Sequence, residues 1–379
     1  MKSPIMFLAE GDPETWRSFS GSSRSAVLGL RGHGRTVLTG DADIYGAATY
    51  VAKLAAFWPR RGRWVHRYHA GAAGFLLRTR AARRQLQDLP AGVPIIQVGA
   101  TFDASKLGHP LYCFCDATAA FTLLGGEFGS LAKLSKSEHT AVVARERSVY
   151  QKADGIFTFT EGLRRSIIDD FGVGAERVVT TFAGPNLDSV PSVEELETPK
   201  SQQPTILFIG RQWERKGGPT LMAAFREVRR VLPESRLLIV GCRPPIEPTA
   251  GVEILGLVSR EDRSERGLRN LFLTSDIYCM PSRYEPFGMT YTEAMYHGLP
   301  CIGPKLFMSE IIDDGRTGWL LSKDDPAELA SILISGLQDR ARLRRMGAAG
   351  REKASALFRW DRATRLMLDF IDRDTAHRG

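Results

Sequence analysis

Residues 281–295 read Pro281-Ser282-Arg283-Tyr284-Glu285-Pro286-Phe287-Gly288-Met289-Thr290-Tyr291-Thr292-Glu293-Ala294-Met295. The apolar run 277–280 before them predicts a strand, and the residues after Gly288 predict a helix. A strand, a glycine-containing turn and a helix start aim unpaired backbone N–H groups at one point, where the helix dipole also favours negative charge. A diphosphate fits beside the N–H groups of Gly288, Met289 and Thr290. Glu285 stands just before this helix and Glu293 about two turns inside it, so two carboxylates flank one end at different depths. One can accept hydrogen bonds from the hydroxyls of a sugar ring and the other from a ribose.

Upstream, Ile209-Gly210-Arg211-Gln212-Trp213-Glu214-Arg215-Lys216-Gly217-Gly218 follows another predicted strand. Arg211 and Lys216 put two cations where a strand ends and a helix begins, able to neutralise a leaving diphosphate. Surface exposure is the default for Arg and Lys, and a solvated face is the default for an isolated Glu pair. Placement at a strand end before Gly217-Gly218, beside the Phe287-Gly288 turn, favours donor contact, with Gln212 and Arg215 as neighbours.

Working outward, short branched apolar runs alternate with helix-like segments, which predicts an α/β chain with parallel sheets. Strands are expected at 5–8, 35–38, 94–98, 111–115, 155–159 and 178–182, then at 205–209, 236–240, 252–255, 277–280, 300–302 and 318–321. Leu221, Phe225, Val228 and Leu232 recur at helical spacing and form one apolar stripe. Residues 188–203 lack an apolar period and carry Pro191 and Pro199, which predicts an interdomain linker. The tail from 358 to 372 is amphipathic, with Trp360, Leu366, Met367, Phe370 and Ile371 among charges.

The pairing of Gly210-Arg211 and Lys216-Gly217 with Glu285 and Glu293, set in Glu-Pro-Phe-Gly, resembles glycosyltransferase family 4 on the GT-B fold. The likeness extends over Gly256-Leu257-Val258, Ser275-Asp276-Ile277 and Asp314-Gly315-x-Thr317-Gly318. It implies two Rossmann-like domains facing each other across a cleft: an acceptor domain at 1–190, a nucleotide-sugar donor domain at 204–357, and a final helix in 358–379 crossing back to the first. By resemblance, Gly210, Arg211 and Lys216 hold the diphosphate and Glu293 the ribose. Glu285 with Phe287, Gly288, Met289 and Thr290 holds the donor sugar, and backbone near Leu257 and Val258 holds the base. Retention of anomeric configuration without a metal or other cofactor is implied, with the leaving phosphate taking the acceptor's proton. The donor would be a UDP-sugar ahead of a GDP-sugar, and the acceptor a glycolipid, polysaccharide or small glycoside.

The first half matches less sharply. Phe19-Ser20-Gly21-Ser22 is a small-residue turn where Gly21 would let backbone approach the donor. Asp116, after the 111–115 strand, stands where many relatives carry a histidine facing the sugar, and is assigned a catalytic role with Glu285, Arg211 and Lys216. One further departure is that Pro304-Lys305-Leu306-Phe307-Met308-Ser309, before Glu310, lacks the paired glycines usual there. A nucleotide-sugar 2-epimerase and a catalytically silent nucleotide-binding protein on the same fold stay open as alternatives.

Composition bounds the rest. At 379 residues, 43% apolar and 25% charged, the chain is of globular character and long enough for two domains. No apolar run approaches the roughly 18 residues that span a bilayer, and the run 5–8 is too short for a signal peptide, so a cytoplasmic protein is expected, with peripheral contact at the inner membrane face left open. Five cysteines, with Cys113-x-Cys115 lacking a second pair, predict free thiols rather than disulfides or zinc. The seven histidines show no metal-ligand spacing, and Asp41-Ala42-Asp43 is expected to be a loop rather than a metal motif. Glu127 and Glu146 are expected on solvated helix faces, and Asn186 in a turn. The net charge of +8 suits an acidic partner. From Lys53 to Arg84, including Arg60, Arg61, Arg63, Arg67, Arg78, Arg80 and Arg83, the chain is basic, free of acids and interleaved with aromatics. That pattern admits peripheral membrane contact through Arg60 to Arg84, whereas no nucleic-acid-binding module frames these arginines.

Overall fold

The computed structural model describes residues 3–378 except 60, 130, 188, 198–201, 260, 261, 263, 265 and 266, and of residues 61–63 the backbone alone. Two compact units emerge: Met1–Asn186 with Arg359–Gly379, and Leu187–Phe358. Each is built on a six-stranded parallel sheet with helices between most successive strands; in chain order, the third and fourth strands of the first sheet and the second and third of the second are joined by loops.

The first sheet comprises β1 (Ile5–Ala9), β2 (Val37–Asp41), β3 (Ile95–Val98), β4 (Leu111–Cys115), β5 (Gly155–Thr158) and β6 (Val178–Thr180), in the order β2-β1-β3-β4-β5-β6. Strands β1, β3, β4 and β5 are buried along their whole length, as expected of a parallel sheet covered on both faces. Met6, Leu8, Ile95, Phe102 and Leu111 form one core on this sheet. The second strand begins two residues later than expected. Arg35 is drawn out of the ladder, donating to the Ser3 carbonyl at 3.1 Å and pairing with Asp372.

Helix Trp360–Ala376 belongs to this unit and packs on helix Ser22–Gly32. Its buried face is Ala363, Thr364, Met367, Leu368 and Ile371. A Cβ at Gly29 would lie 2.8 Å from Thr364, so the glycine sets how closely the helices approach. Trp360 donates to the Pro185 carbonyl at 3.1 Å, and the Tyr112 hydroxyl to Asp374 at 2.6 Å.

The second sheet comprises β7 (Thr205–Ile209), β8 (Arg236–Val240), β9 (Val252–Gly256), β10 (Ile277–Cys279), β11 (Cys301–Pro304) and β12 (Gly318–Leu321), in the order β12-β11-β10-β7-β8-β9. Helix Gly218–Val231 buries Leu221, Phe225 and Val228, the predicted stripe, and ends before Leu232. Residues 188–203 are more than a connector where described. They form a helical turn, Val193–Glu197, whose Glu195 makes a two-pronged pair with Arg269 at 2.9 and 2.6 Å. Arg269 holds the Glu195 carboxyl down at about 2. Asp188 and 198–201 lie outside the described residues. All five cysteines are free.

Candidate functional site

In the second sheet the order of strands reverses between β7 and β10, because the chain winds first toward β9 and then toward β12. Loops leaving the carboxyl ends of two such strands diverge to opposite faces and leave a crevice. Asp276 fixes this pairing at its other end: its carboxylate accepts the Thr205 N–H at 2.8 Å and its own N–H reaches the Thr205 carbonyl at 2.8 Å. The two motifs most prominent in the sequence are the two loops that leave β7 and β10.

The loops are locked together. Gly217, at φ +75°, caps helix Gly218–Val231, and a Cβ there would overlap the Pro281 carbonyl oxygen. Only glycine allows both the left-handed backbone and that approach. Arg215 donates to the Tyr284 carbonyl at 2.6 Å, and the Arg283 N–H to the Arg215 carbonyl at 2.9 Å. Lys216 Nζ pairs with Glu285 Oε2, the Lys side chain 14% and the Glu 8% exposed. Burial holds the Lys216 ammonium below its ordinary range, opposed by the Glu285 charge. Arg211 is exposed on the same loop and makes no ion pair with another described residue. Thus Lys216 and Glu285 are brought into contact, and Arg211 forms no ion pair with Glu285.

Gly288, at φ +72°, is the N-cap of helix Met289–Tyr296, and no side chain caps it. The N–H groups of Met289 and Thr290 have no carbonyl partner among the described residues. Phe287 is buried against Phe358, and the Thr290 hydroxyl accepts from Tyr278 at 2.6 Å. Glu293 is only 1% exposed, inside the helix, deeper than Glu285 as its position predicts.

Beyond β8 and β9 lies a pocket of about 470 Å³ lined by Arg243, Ile254, Leu255, Leu257, Val258 and Asp262. It adjoins Leu257 and Val258, expected at the base. Gly241, at φ +93°, brings the end of β8 to within 3.0 Å of the Gly210 backbone, measured from where its Cβ would stand. Arg243 was not singled out by motif; its signal is its place two residues after a glycine that closes a strand. Where paired glycines were missing, Lys305–Met308 forms a helical turn with Leu306 exposed and Phe307 against Tyr284 at 5.5 Å. Among the described residues, no group of three His, Cys, Asp or Glu is placed to hold a metal ion.

In the first unit, Gly21 at φ +90° starts helix Ser22–Gly32 without a side-chain cap, after Phe19 and Ser20, also at positive φ. Asn186, 1% exposed, holds this turn: its amide donates to the Ser20 carbonyl and its oxygen accepts from the Ser25 hydroxyl, both at 2.8 Å. Asp116 follows β4, half-buried. The expectation that Glu146 is solvated is corrected. Its carboxylate turns inward to accept the Ala119 N–H at 2.7 Å, three residues after Asp116, and burial pushes its pKa up to about 8. Asp41 is a turn builder, accepting from the N–H groups of Gly11 and Asp43 and from the Tyr45 hydroxyl.

Residues 203–339 match the family described as Glycosyl transferases group 1. The second unit carries a group 1 glycosyl transferase domain. The D-inositol 3-phosphate glycosyltransferase of Xylanimonas cellulosilytica is 28% identical over 258 residues, 62% of this chain and 61% of the relative. The phosphatidyl-myo-inositol mannosyltransferase of Mycobacterium leprae is 30% identical over 222 residues, 57% of each. The match thus spans about three fifths of these curated relatives. A solved sucrose-phosphate synthase from Thermosynechococcus elongatus superposes with a TM-score of 0.73 at 19% identity, covering 99% of this chain and 100% of that one. That likeness shows the GT-B fold, and the family 4 resemblance read from the motifs is borne out.

Proposed function

We propose that this protein is a glycosyltransferase that moves a hexosyl unit from a nucleoside diphosphate-sugar to a saccharide or lipid-linked acceptor. The observation that carries the reading is the buried Lys216–Glu285 pair beside the uncapped amides of Met289 and Thr290, at the strand-order reversal of the group 1 domain. The diphosphate rests on those amides, with Lys216 and the exposed Arg211 offsetting the charge that grows on the leaving phosphate. Glu285 and Glu293 accept from hydroxyls of the donor in this reading. The pocket at Leu257 and Val258 takes the base, of UDP or GDP.

The reaction is metal-independent and retaining in this reading, the departing phosphate accepting the proton of the attacking hydroxyl on the same face. In this reading the Gly21 turn lets backbone approach the donor, and Asp116, near the turn that Glu146 caps, serves the acceptor. The names of the two curated relatives, acting on inositol phosphate and phosphatidylinositol, support a phosphorylated or lipid-linked acceptor.

Thermal shift of the full chain against UDP, GDP and their sugars tests the donor half. Stabilisation by a nucleoside diphosphate that Lys216→Met abolishes is expected. No shift with any of them, together with no hydrolysis of any donor, would overturn the reading. Conversion of the donor sugar in the absence of acceptor would identify an epimerase instead.

A further inference from the structure

Thr290 and Thr292 stand near the start of helix Met289–Tyr296, and their hydroxyls are used differently. Thr292 donates to the Met289 carbonyl at 2.8 Å, the back-bond usual for a threonine within a helix. Thr290 makes no such bond. Its Oγ1 accepts from the Tyr278 hydroxyl at 2.6 Å, and among the described residues no carbonyl or carboxylate takes the Thr290 proton. The residue is half-buried, in the same turn as the two amides that lack carbonyl partners.

Tyr278 lies fully buried at the middle of β10, its ring edge-on to Tyr291 with centroids 5.2 Å apart. A buried phenol needs a hydrogen-bond partner. Within reach of its hydroxyl are Thr290 Oγ1 at 2.6 Å and the Met280 sulfur at 3.4 Å, and sulfur is the weaker acceptor. The Tyr291 hydroxyl donates to the Met280 carbonyl, and Gly303 leaves room for it, since a Cβ there would stand 2.7 Å from that oxygen. Two phenols therefore tie the end of β10 to the first turn of the helix. Burial, above all, pushes the Tyr278 phenol well above its ordinary range, and the charges of Glu285 and Glu293 act in the same direction. Tyr278 thus keeps its proton at neutral pH, beside the two carboxylates of the site.

A hydroxyl carries one proton and can accept through its lone pairs, so a Thr290 oxygen that accepts from Tyr278 has its own proton left to give. A hydrogen bond to an ionised oxygen is about twice as strong as a neutral one. An anion at the helix end therefore favours the chain from Tyr278 to Thr290 to anion over any arrangement that ends on the Met280 sulfur. We propose that Tyr278 is a positioning residue of the donor site, its hydroxyl turning the Thr290 hydroxyl toward the diphosphate as a third donor beside the amides of Met289 and Thr290. The proposal rests on the nucleoside diphosphate reading and adds to it a residue remote from the ligand.

The test is calorimetric titration of the full chain with UDP and with GDP, for the wild type, Tyr278→Phe, Thr290→Val, Thr290→Ser and the double variant of Tyr278→Phe with Thr290→Val. For the diphosphate that the wild type binds, Thr290→Val should weaken binding about tenfold and Tyr278→Phe about threefold to fivefold, while Thr290→Ser keeps the wild-type affinity. Added to Thr290→Val, Tyr278→Phe should cost no further affinity, because the phenol acts through a hydroxyl already removed. A phenol with only a packing role would instead lower the urea-unfolding stability of the ligand-free protein and leave affinity unchanged. Unchanged affinity in folded Tyr278→Phe, or additive losses in the double variant, overturns the proposal and leaves the diphosphate site standing. Should Tyr278→Phe misfold, the threonine variants decide, and equal affinities of Thr290→Val and Thr290→Ser overturn it. A wild type that binds neither nucleotide overturns the underlying reading and the proposal with it.

Discussion

The loop after β1 and the loop after β7 are the same backbone device carrying opposite charge. Each leaves the first strand of a parallel sheet and enters a helix through a left-handed glycine, Gly21 or Gly217, with no side-chain cap. Between residues 10 and 21 stand Glu10, Asp12 and Glu14 against Arg17; between 210 and 217 stand Arg211, Arg215 and Lys216 against Glu214. A helix N-terminus attracts an anion only where neighbouring side chains do not repel it. In the proposed function this difference sends the donor diphosphate to the second unit.

The largest expected effect is at Lys216. Lys216→Met leaves Glu285 buried and unpaired, and should weaken nucleoside diphosphate binding about a hundredfold while costing about 3 kcal/mol of stability. Calorimetric titration and urea unfolding measure both, and undiminished affinity would show that the charge contrast is incidental.

The two glycines should differ in degree. Gly217→Ala meets the Pro281 carbonyl, which is backbone and cannot yield, and should cost about 3 kcal/mol. Gly21→Ala meets the Trp16 ring at 2.6 Å, a side chain that can rotate, and should cost about 1–2 kcal/mol. Equal losses in thermal unfolding would mean that the loops are equally rigid.

The units should also respond to pH in opposite directions. Burial raises the Glu146 carboxyl from 4.5 to about 8, so between those values the folded first unit holds a proton that the unfolded chain has lost. Its stability therefore falls as pH rises through that window. Burial lowers His297 from 6.5 to about 4, so between those values the unfolded chain holds the extra proton, and the second unit loses stability as pH falls. Glu146→Gln should raise first-unit stability by about 2 kcal/mol at the alkaline end, and His297→Gln should flatten the acid side, as amide exchange resolved by unit would record. The smallest effect belongs to exposed Arg211: Arg211→Ala should weaken diphosphate binding roughly tenfold and leave stability within about 0.5 kcal/mol.

Most of the fold was legible because parallel strands buried on both faces are short apolar runs, and every predicted run corresponds to a strand, with Leu111–Cys115, Thr205–Ile209, Arg236–Val240 and Gly318–Leu321 matching end to end. Ends slipped where a side chain had business elsewhere, as Arg35 does with Asp372. Within the site, Lys216, Glu285 and Gly288 were legible because a charge or glycine at a strand-to-helix turn has a local meaning. Glu146 and Asn186 were not, since nothing near them in sequence marks the partners they reach, Ala119 and Ser20.

The sequence by itself determined that the chain alternates strand and helix, where glycine must release the backbone, and which loops carry positive charge, because each follows from properties of neighbouring residues. Only the tertiary structure decided that β10 lies against β7 rather than beside β9, and so that Lys216 meets Glu285 across 69 residues of chain. Strand order is set by how whole crossovers pack on a sheet, a balance of many burials that no local pattern records.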